Sequence, residues 1–195
     1  MAKVLTVFFE KVVILISSSS SLLARFPLLN QWFVQRPRRV WGALTALCVG
    51  LLSFGMYLQH VVGLEPCPMC IVQRYTMVLV ALLALVMATV NPRTTGQRVG
   101  AVLGLLLAGF GAFVAARQSW MQWYPPEVAT CGRDFYGMIE AFPLQRAIPM
   151  IFKGSGDCTA IDWTFLSLTI ANWSFLNFCL VAVVIVTLGV VARRS

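Results

Sequence analysis

Cys67-Pro68-Met69-Cys70 is the stretch of this 195-residue chain whose residue types and spacing point most directly to chemistry. Two thiols three positions apart can form a disulfide, exchange it with another thiol, or supply half of a zinc site. A zinc site wants two further Cys or His ligands at compact spacing. Here Cys131 and Cys158 stand far apart in the chain and His60 is the single histidine. Redox use is favoured, and no metal is expected. Cys131 and Cys158 have small or polar neighbours, Ala129-Thr130-Cys131-Gly132 and Gly154-Ser155-Gly156-Asp157-Cys158. Such surroundings suit attack by another protein's thiolate; the plainer reading is an inert staple across a long loop. Cys48 and Cys179 lie inside apolar stretches, where a free cysteine behaves as a small hydrophobe, and no chemistry is assigned to them.

The meaning of each cysteine depends on its compartment, and therefore on the elements that carry it. The chain is 59% hydrophobic and 11% charged, above the roughly 45–50% apolar content of a soluble domain. Its apolar residues arrive in long blocks. A helix crossing about 30 Å of hydrocarbon needs on the order of 20 mainly apolar residues. Residues 40–58, 71–90, 99–116 and 173–192 meet that demand. The predicted architecture is an all-α integral membrane protein, a bundle of four transmembrane helices spanning residues 40–195. Between the second and third spans, Asn91-Pro92-Arg93-Thr94-Thr95-Gly96-Gln97-Arg98 reads as a tight cationic turn. Arg36, Arg38 and Arg39 precede the first span, and Arg193 and Arg194 follow the last. Positive-inside orientation puts all three clusters, and both termini, in the cytoplasm. Residues 59–70 and 117–172 then form a short and a long periplasmic loop, and Cys67, Cys70, Cys131 and Cys158 share the oxidising side.

This orientation also accounts for the net charge of +8. No basic patch alternates with stacking aromatics, so nucleic acid is not an expected partner. The long loop holds Pro125, Pro126, Pro143 and Pro149 with several glycines, and is predicted to be mostly irregular. Within it, residues 142–152 mix large apolar side chains with Arg146 and Lys153 nearby, a composition that can lie flat at the lipid interface. Trp120, Trp123, Tyr124, Trp163 and Trp173 read as an interfacial aromatic belt. Residues 1–39 form an N-terminal extension, cytoplasmic or peripheral. Its apolar part is weakened as a span by Glu10, Lys11 and the serines from Ser17 to Ser21.

Placement gives the Cys67/Cys70 pair a reason to be reactive. Cys70 stands at a helix N-terminus, where unpaired N–H groups and the positive end of the macrodipole favour a thiolate. Arg74 follows one turn later on the same face. Its charge suits both that sulfur and the oxygen of a reduced quinone, against the bland alternative of an arginine reaching for the headgroups. His60, at the outer end of the first span, is a weaker candidate for a quinone oxygen or a proton, since a lone interfacial histidine is more often an anchor.

Taken together, several motifs resemble the disulfide bond formation protein B (DsbB) family. They are Leu58-Gln59-His60-Val61, Glu65-Pro66-Cys67-Pro68-Met69-Cys70, Gln73-Arg74, Gln122-Trp123-Tyr124-Pro125, Ala129-Thr130-Cys131, Gly156-Asp157-Cys158 and Trp163-Thr164-Phe165-Leu166. The resemblance runs from about Val40 to the C-terminus and leaves residues 1–35 without a counterpart. It implies a four-helix protein of the bacterial inner membrane that reoxidises a DsbA-like periplasmic thiol oxidase and reduces ubiquinone or menaquinone from the membrane pool. It further implies that Cys131 is attacked by the partner thiolate, with Cys158 as its disulfide mate. Cys67 would then exchange with Cys158, Cys70 would deliver electrons to the quinone, and Arg74 would belong to the quinone site. Some members carry a histidine near the outer end of the third span, where Gln118 stands here.

Two other classes compete. A transport or channel subunit would want ionisable residues along its spans, and these spans have almost none. A structural membrane subunit with inert disulfides would leave both cysteine pairs unresponsive to a thiol partner.

Overall fold

The computed structural model of the protein describes residues 36–124, 161 and 163–194. The extension over residues 1–35, the cysteines Cys131 and Cys158, and the interfacial candidate at 142–152 lie outside the described residues. In chain order the elements are α1 (Pro37–His60), α2 (Pro68–Val90), α3 (Thr94–Trp123), β1 (Thr164–Phe165), β2 (Leu168–Thr169) and α4 (Ile170–Arg194). All four helices are long and apolar enough to cross a membrane. The expected four-helix membrane fold is therefore observed.

Local chemistry sets the helix ends. Pro68 starts α2 at the position where its missing N–H costs nothing, and Cys67 caps it, its sulfur accepting from the Cys70 N–H. At the other end Asn91 adopts a left-handed conformation with φ 44°, and Pro92 forbids continuation. The turn is shorter than predicted, because Thr94 through Arg98 are already helical. The opposite end of α3 also differs from expectation. Residues 117–123, assigned to the long loop, continue the helix to Trp123. No breaker occurs before Pro125, and Gln118, Ser119 and Met121 find buried sites. At 30 residues, α3 is roughly 45 Å long, so it overruns the hydrocarbon and carries polar side chains up beside the cysteines.

Packing runs from α1 to α2, α2 to α3 and α3 to α4. The main core joins Trp41, Leu44 and Cys48 of α1 to Val80 and Ala84 of α2, Ala108 and Ala112 of α3, and Phe178, Val181 and Ile185 of α4. Leu82, Val86, Leu103, Leu106 and Val183 face outward, as lipid-exposed side chains would. Apolar burial does not drive association between helices in lipid, so close backbone approach matters more. Gly100, Gly104, Ala108, Gly111, Ala112 and Ala115 make the buried face of α3 small. At Gly111 a Cβ would lie 2.4 Å from the Phe178 ring, so any side chain there would force α4 away.

A two-stranded antiparallel hairpin precedes α4, pairing Thr164 with Thr169 and Phe165 with Leu168. Its two-residue turn puts Leu166 and Ser167 at φ 53° and 63°, the geometry of a tight hairpin usually made by Asn or Gly. The mostly irregular loop expected here thus ends in ordered structure that no turn residue announced. Thr169 Oγ1 donates to Gln122 Oε1 at 2.7 Å, tying the hairpin to the end of α3.

Candidate redox site

The Cys67/Cys70 pair sits where α2 begins, and α3 locks it in place. Cys67, Met69, Val114 and Met121 form a second buried cluster, with Cys70 and Val72 packed against it. The two sulfurs lie 2.9 Å apart, against about 2.05 Å for a disulfide. Two-electron oxidation with loss of both thiol protons would bond them after a relative movement of less than about 1 Å. Cys67 is buried and Cys70 half-buried.

An amide cluster surrounds the sulfurs. Gln118 Nε2 donates to Cys67 Sγ at 3.3 Å and to Cys70 Sγ at 3.2 Å. Gln118 Oε1 accepts from Gln73 Nε2 at 2.7 Å and lies 3.7 Å from the Cys70 thiol. Gln73 therefore fixes which way the Gln118 amide faces, with its N–H groups on the sulfurs. Two such donors stabilise negative charge on either sulfur without themselves titrating. Their placement is a consequence of the extended α3, which raises Gln118 to the level of the helix α2 N-terminus.

Arg74 does face the same region as Cys70, but its guanidinium reaches across to α1. Nη1 donates to Gln59 Oε1 and Nη2 to the Gly55 carbonyl, the latter at 3.1 Å. Both partners are neutral oxygens, so the positive charge is held in position without being cancelled by them. Of the five donors on an arginine, these two are engaged with α1.

Cys67, Cys70 and Arg74 border one cavity of about 770 Å³, within the range that takes a drug-sized ligand. Leu47, Leu51 and Phe54 of α1 form one wall, and Trp173, Leu176 and Leu180 of α4 form the other. Trp163 and Phe165 of the hairpin region close its outer side. Aromatic contacts run across that side in sequence: Phe54 to Trp163 at 6.1 Å, Trp163 to Phe165 at 6.1 Å, and Phe165 to Trp173 at 6.0 Å between centroids. The walls are largely apolar, with Gln73, Arg74 and Gln118 gathered near the cysteines and Ser174 and Asn177 on α4. This combination fits the flat, apolar ring and polar oxygens of a quinone.

His60 ends α1 and is exposed; it is not among the residues lining the cavity. Cys48 is fully buried in the main core. Cys131 and Cys158 lie outside the described residues, so the structure brings together Cys67, Cys70 and Arg74 of the predicted site. It adds Gln73, Gln118 and Gln59, which sequence reasoning did not assign a role. A signal existed for Gln73, an uncharged but strongly polar side chain inside an apolar span and one turn from Cys70. Gln118, placed in the long loop, was marked only by the resemblance, as the residue standing where some members of that family carry a histidine.

Comparison with known proteins points to one family. The family model described as disulfide bond formation protein DsbB matches residues 37–188. The disulfide bond formation protein B of Polaromonas sp. strain JS666 is 66% identical over 165 residues, covering 84% of this chain and 96% of the relative. That of Acidovorax sp. strain JS42 is 63% identical over 164 residues, 84% of this chain and 94% of the relative. The protein of the same name from Aromatoleum aromaticum is 52% identical over 164 residues, 84% and 98% of the two chains. With four membrane-length helices, a paired C-x-x-C at the head of the second, and similarity over most of its length, the chain belongs to the DsbB family of disulfide bond formation proteins.

Proposed function

We propose that the protein is a protein-dithiol oxidoreductase of the bacterial inner membrane that oxidises a DsbA-like periplasmic thiol oxidase and reduces ubiquinone or menaquinone. The observation that carries this reading is the Cys67/Cys70 pair, with sulfurs 2.9 Å apart, opening beside Arg74 onto a largely apolar cavity between α1 and α4. An inert structural disulfide has no need of such a cavity. The reading also places both termini in the cytoplasm, following the arginine clusters at 36–39, 93–98 and 193–194.

In this scheme a thiolate of the reduced partner attacks a Cys131–Cys158 disulfide at Cys131, and the partner's second thiolate resolves the mixed disulfide. The partner leaves oxidised, and Cys131 and Cys158 are left as thiols. Cys158 then attacks the Cys67–Cys70 disulfide at Cys67 and Cys131 resolves the mixed disulfide, which re-forms Cys131–Cys158 and leaves Cys67 and Cys70 reduced. A bound quinone supplies the acceptor for two electrons and two protons, restoring the Cys67–Cys70 disulfide. Gln118 holds both sulfurs and favours the thiolate that must form before each exchange. Arg74 holds positive charge beside the cavity, where a reduced oxygen would develop negative charge.

The decisive experiment is oxidation of reduced DsbA by purified protein with a defined quinone. One quinone should disappear for each disulfide formed in DsbA. Disulfide formation with no quinone loss would refute the coupling. Reporters fused after Arg93 and Arg194 should read cytoplasmic, and one near Glu140 should read periplasmic. A cytoplasmic reading at Glu140 would put Cys131 and Cys158 in a reducing compartment and end the proposed relay.

A further inference from the structure

Asn177 is a polar side chain about two turns into an apolar spanning helix. It is half-buried and lines the cavity from α4, beside Met77 of α2. A carboxamide at membrane depth is costly unless its hydrogen bonds are met. Nearby amides meet theirs well: Gln73 and Gln118 pair at 2.7 Å. Asn177 Nδ2 instead donates to Met77 Sδ at 3.4 Å, and a thioether is a weak acceptor. That contact also locates Asn177 along α2. Met77 is three residues beyond Arg74, about 4.5 Å further down the helix. Ser174, one turn nearer the cysteines on α4, borders the same cavity.

A para-quinone has carbonyl oxygens on opposite edges of one ring. If Arg74 holds one of them, the other faces away from the cysteine end of the cavity. The walls there are leucine and Met77, interrupted by Asn177. We infer that Asn177 is the second anchor of the quinone ring, donating through Nδ2 to the carbonyl oxygen remote from Arg74. The amide suits both redox forms, because Nδ2 can donate to a carbonyl and Oδ1 can accept from the hydroxyl of the reduced ring. A ring fixed at both edges presents its face to Cys70 in one orientation, whereas a ring held at Arg74 alone can pivot. The inference rests on the proposed quinone reading and adds a residue that sets ring orientation and affinity.

The test uses the full-length protein in lipid nanodiscs with a short-tail ubiquinone and reduced DsbA. Asn177→Leu keeps the branched four-atom outline, removes both polar atoms and suits a spanning helix. The KM for quinone is expected to rise about three- to tenfold, the loss of one hydrogen bond, while single-turnover oxidation of DsbA stays at the wild-type rate. Asn177→Gln, which retains donor and acceptor, should recover part of the affinity. Binding can be followed without turnover through quenching of the tryptophan fluorescence, since Trp163 and Trp173 border the cavity. There the Leu variant should need correspondingly more quinone. An unchanged KM and unchanged quenching curve in Asn177→Leu would overturn the second anchor while leaving quinone reduction intact. A weakening equal in the Leu and Gln variants, accompanied by slower DsbA oxidation, would mark Asn177 as a packing residue and also overturn it. Failure of the wild type to consume quinone would remove the functional reading itself, and the anchor with it.

Discussion

The two ends of the bundle are built on opposite plans. Toward the Asn91 end, α3 and α4 approach through a face of glycine and alanine, with Met87 and Ile185 packed against its glycines. There a Cβ at Gly100 would fall 2.4 Å from the Met87 side chain. Toward the Cys67 end, α1 and α4 stand apart around the cavity, and amides replace methyl groups between α2 and α3. A Cβ on Gly55, which borders that cavity, would meet nothing closer than Arg74 Nε at 3.7 Å. The closely packed end holds the helices in register, and this lets the other end stay open without collapsing. It also predicts that substitutions at the two ends fail differently, one in stability and the other in chemistry.

The largest contrast should come from Cys70→Ser. Steady-state quinone-coupled oxidation of DsbA is expected to vanish, because serine cannot form the disulfide that must be regenerated, while thermal unfolding in detergent stays near wild type. Residual quinone-dependent turnover in this variant would break the assignment of the open end as the reacting one.

Gly104→Ala probes the other end. Its new methyl group would lie 2.8 Å from Ile185 and must displace it, and overpacking of this kind costs roughly 1–3 kcal/mol. The unfolding temperature should fall, and whatever protein remains folded should keep the wild-type KM for quinone. A stable variant with a raised KM would mean that the two ends are not separable.

Arg74→Ala removes a charge-assisted interaction typically worth about 1.5–3 kcal/mol, so quinone reduction should weaken roughly tenfold or more. Single-turnover exchange with the partner should be spared, and Arg74→Lys should rescue partly, having charge without the planar fork. Titrating quinone against the three proteins measures this. Identical quinone dependence would reduce Arg74 to a tie between α2 and α1 through Gln59 and Gly55.

A smaller effect is expected at Gln118. Replacing it with Leu removes two neutral donors from the sulfurs, each worth about 0.5–1.5 kcal/mol. The rate at which reduced Cys67 and Cys70 react with an alkylating probe should fall several-fold at fixed pH, since less thiolate is present. A faster reaction would show that the Gln118 side chain shields the sulfurs more than it stabilises their charge.

Much of this molecule was legible because the relevant physics is local. The length of an apolar run determines whether a helix spans the bilayer, and arginines beside each run determine its expected orientation, so four spans could be read from residues near one another in the chain. The C-x-x-C at the head of α2, and Arg74 one turn later, follow from helix geometry alone. Tertiary structure decided what those residues meet. Gln118 is 48 positions from Cys70 and becomes its neighbour because burial along α2 extends α3 to Trp123. Arg74 turns to Gln59 and Gly55, partners on a different helix. The cavity exists because α1 and α4, at opposite ends of the helical sequence, leave a gap above the tightly packed core. Each of these depends on contacts between segments distant in sequence, whose relative placement is set by how small and large side chains interlock across helices, and no periodicity within a single helix encodes it.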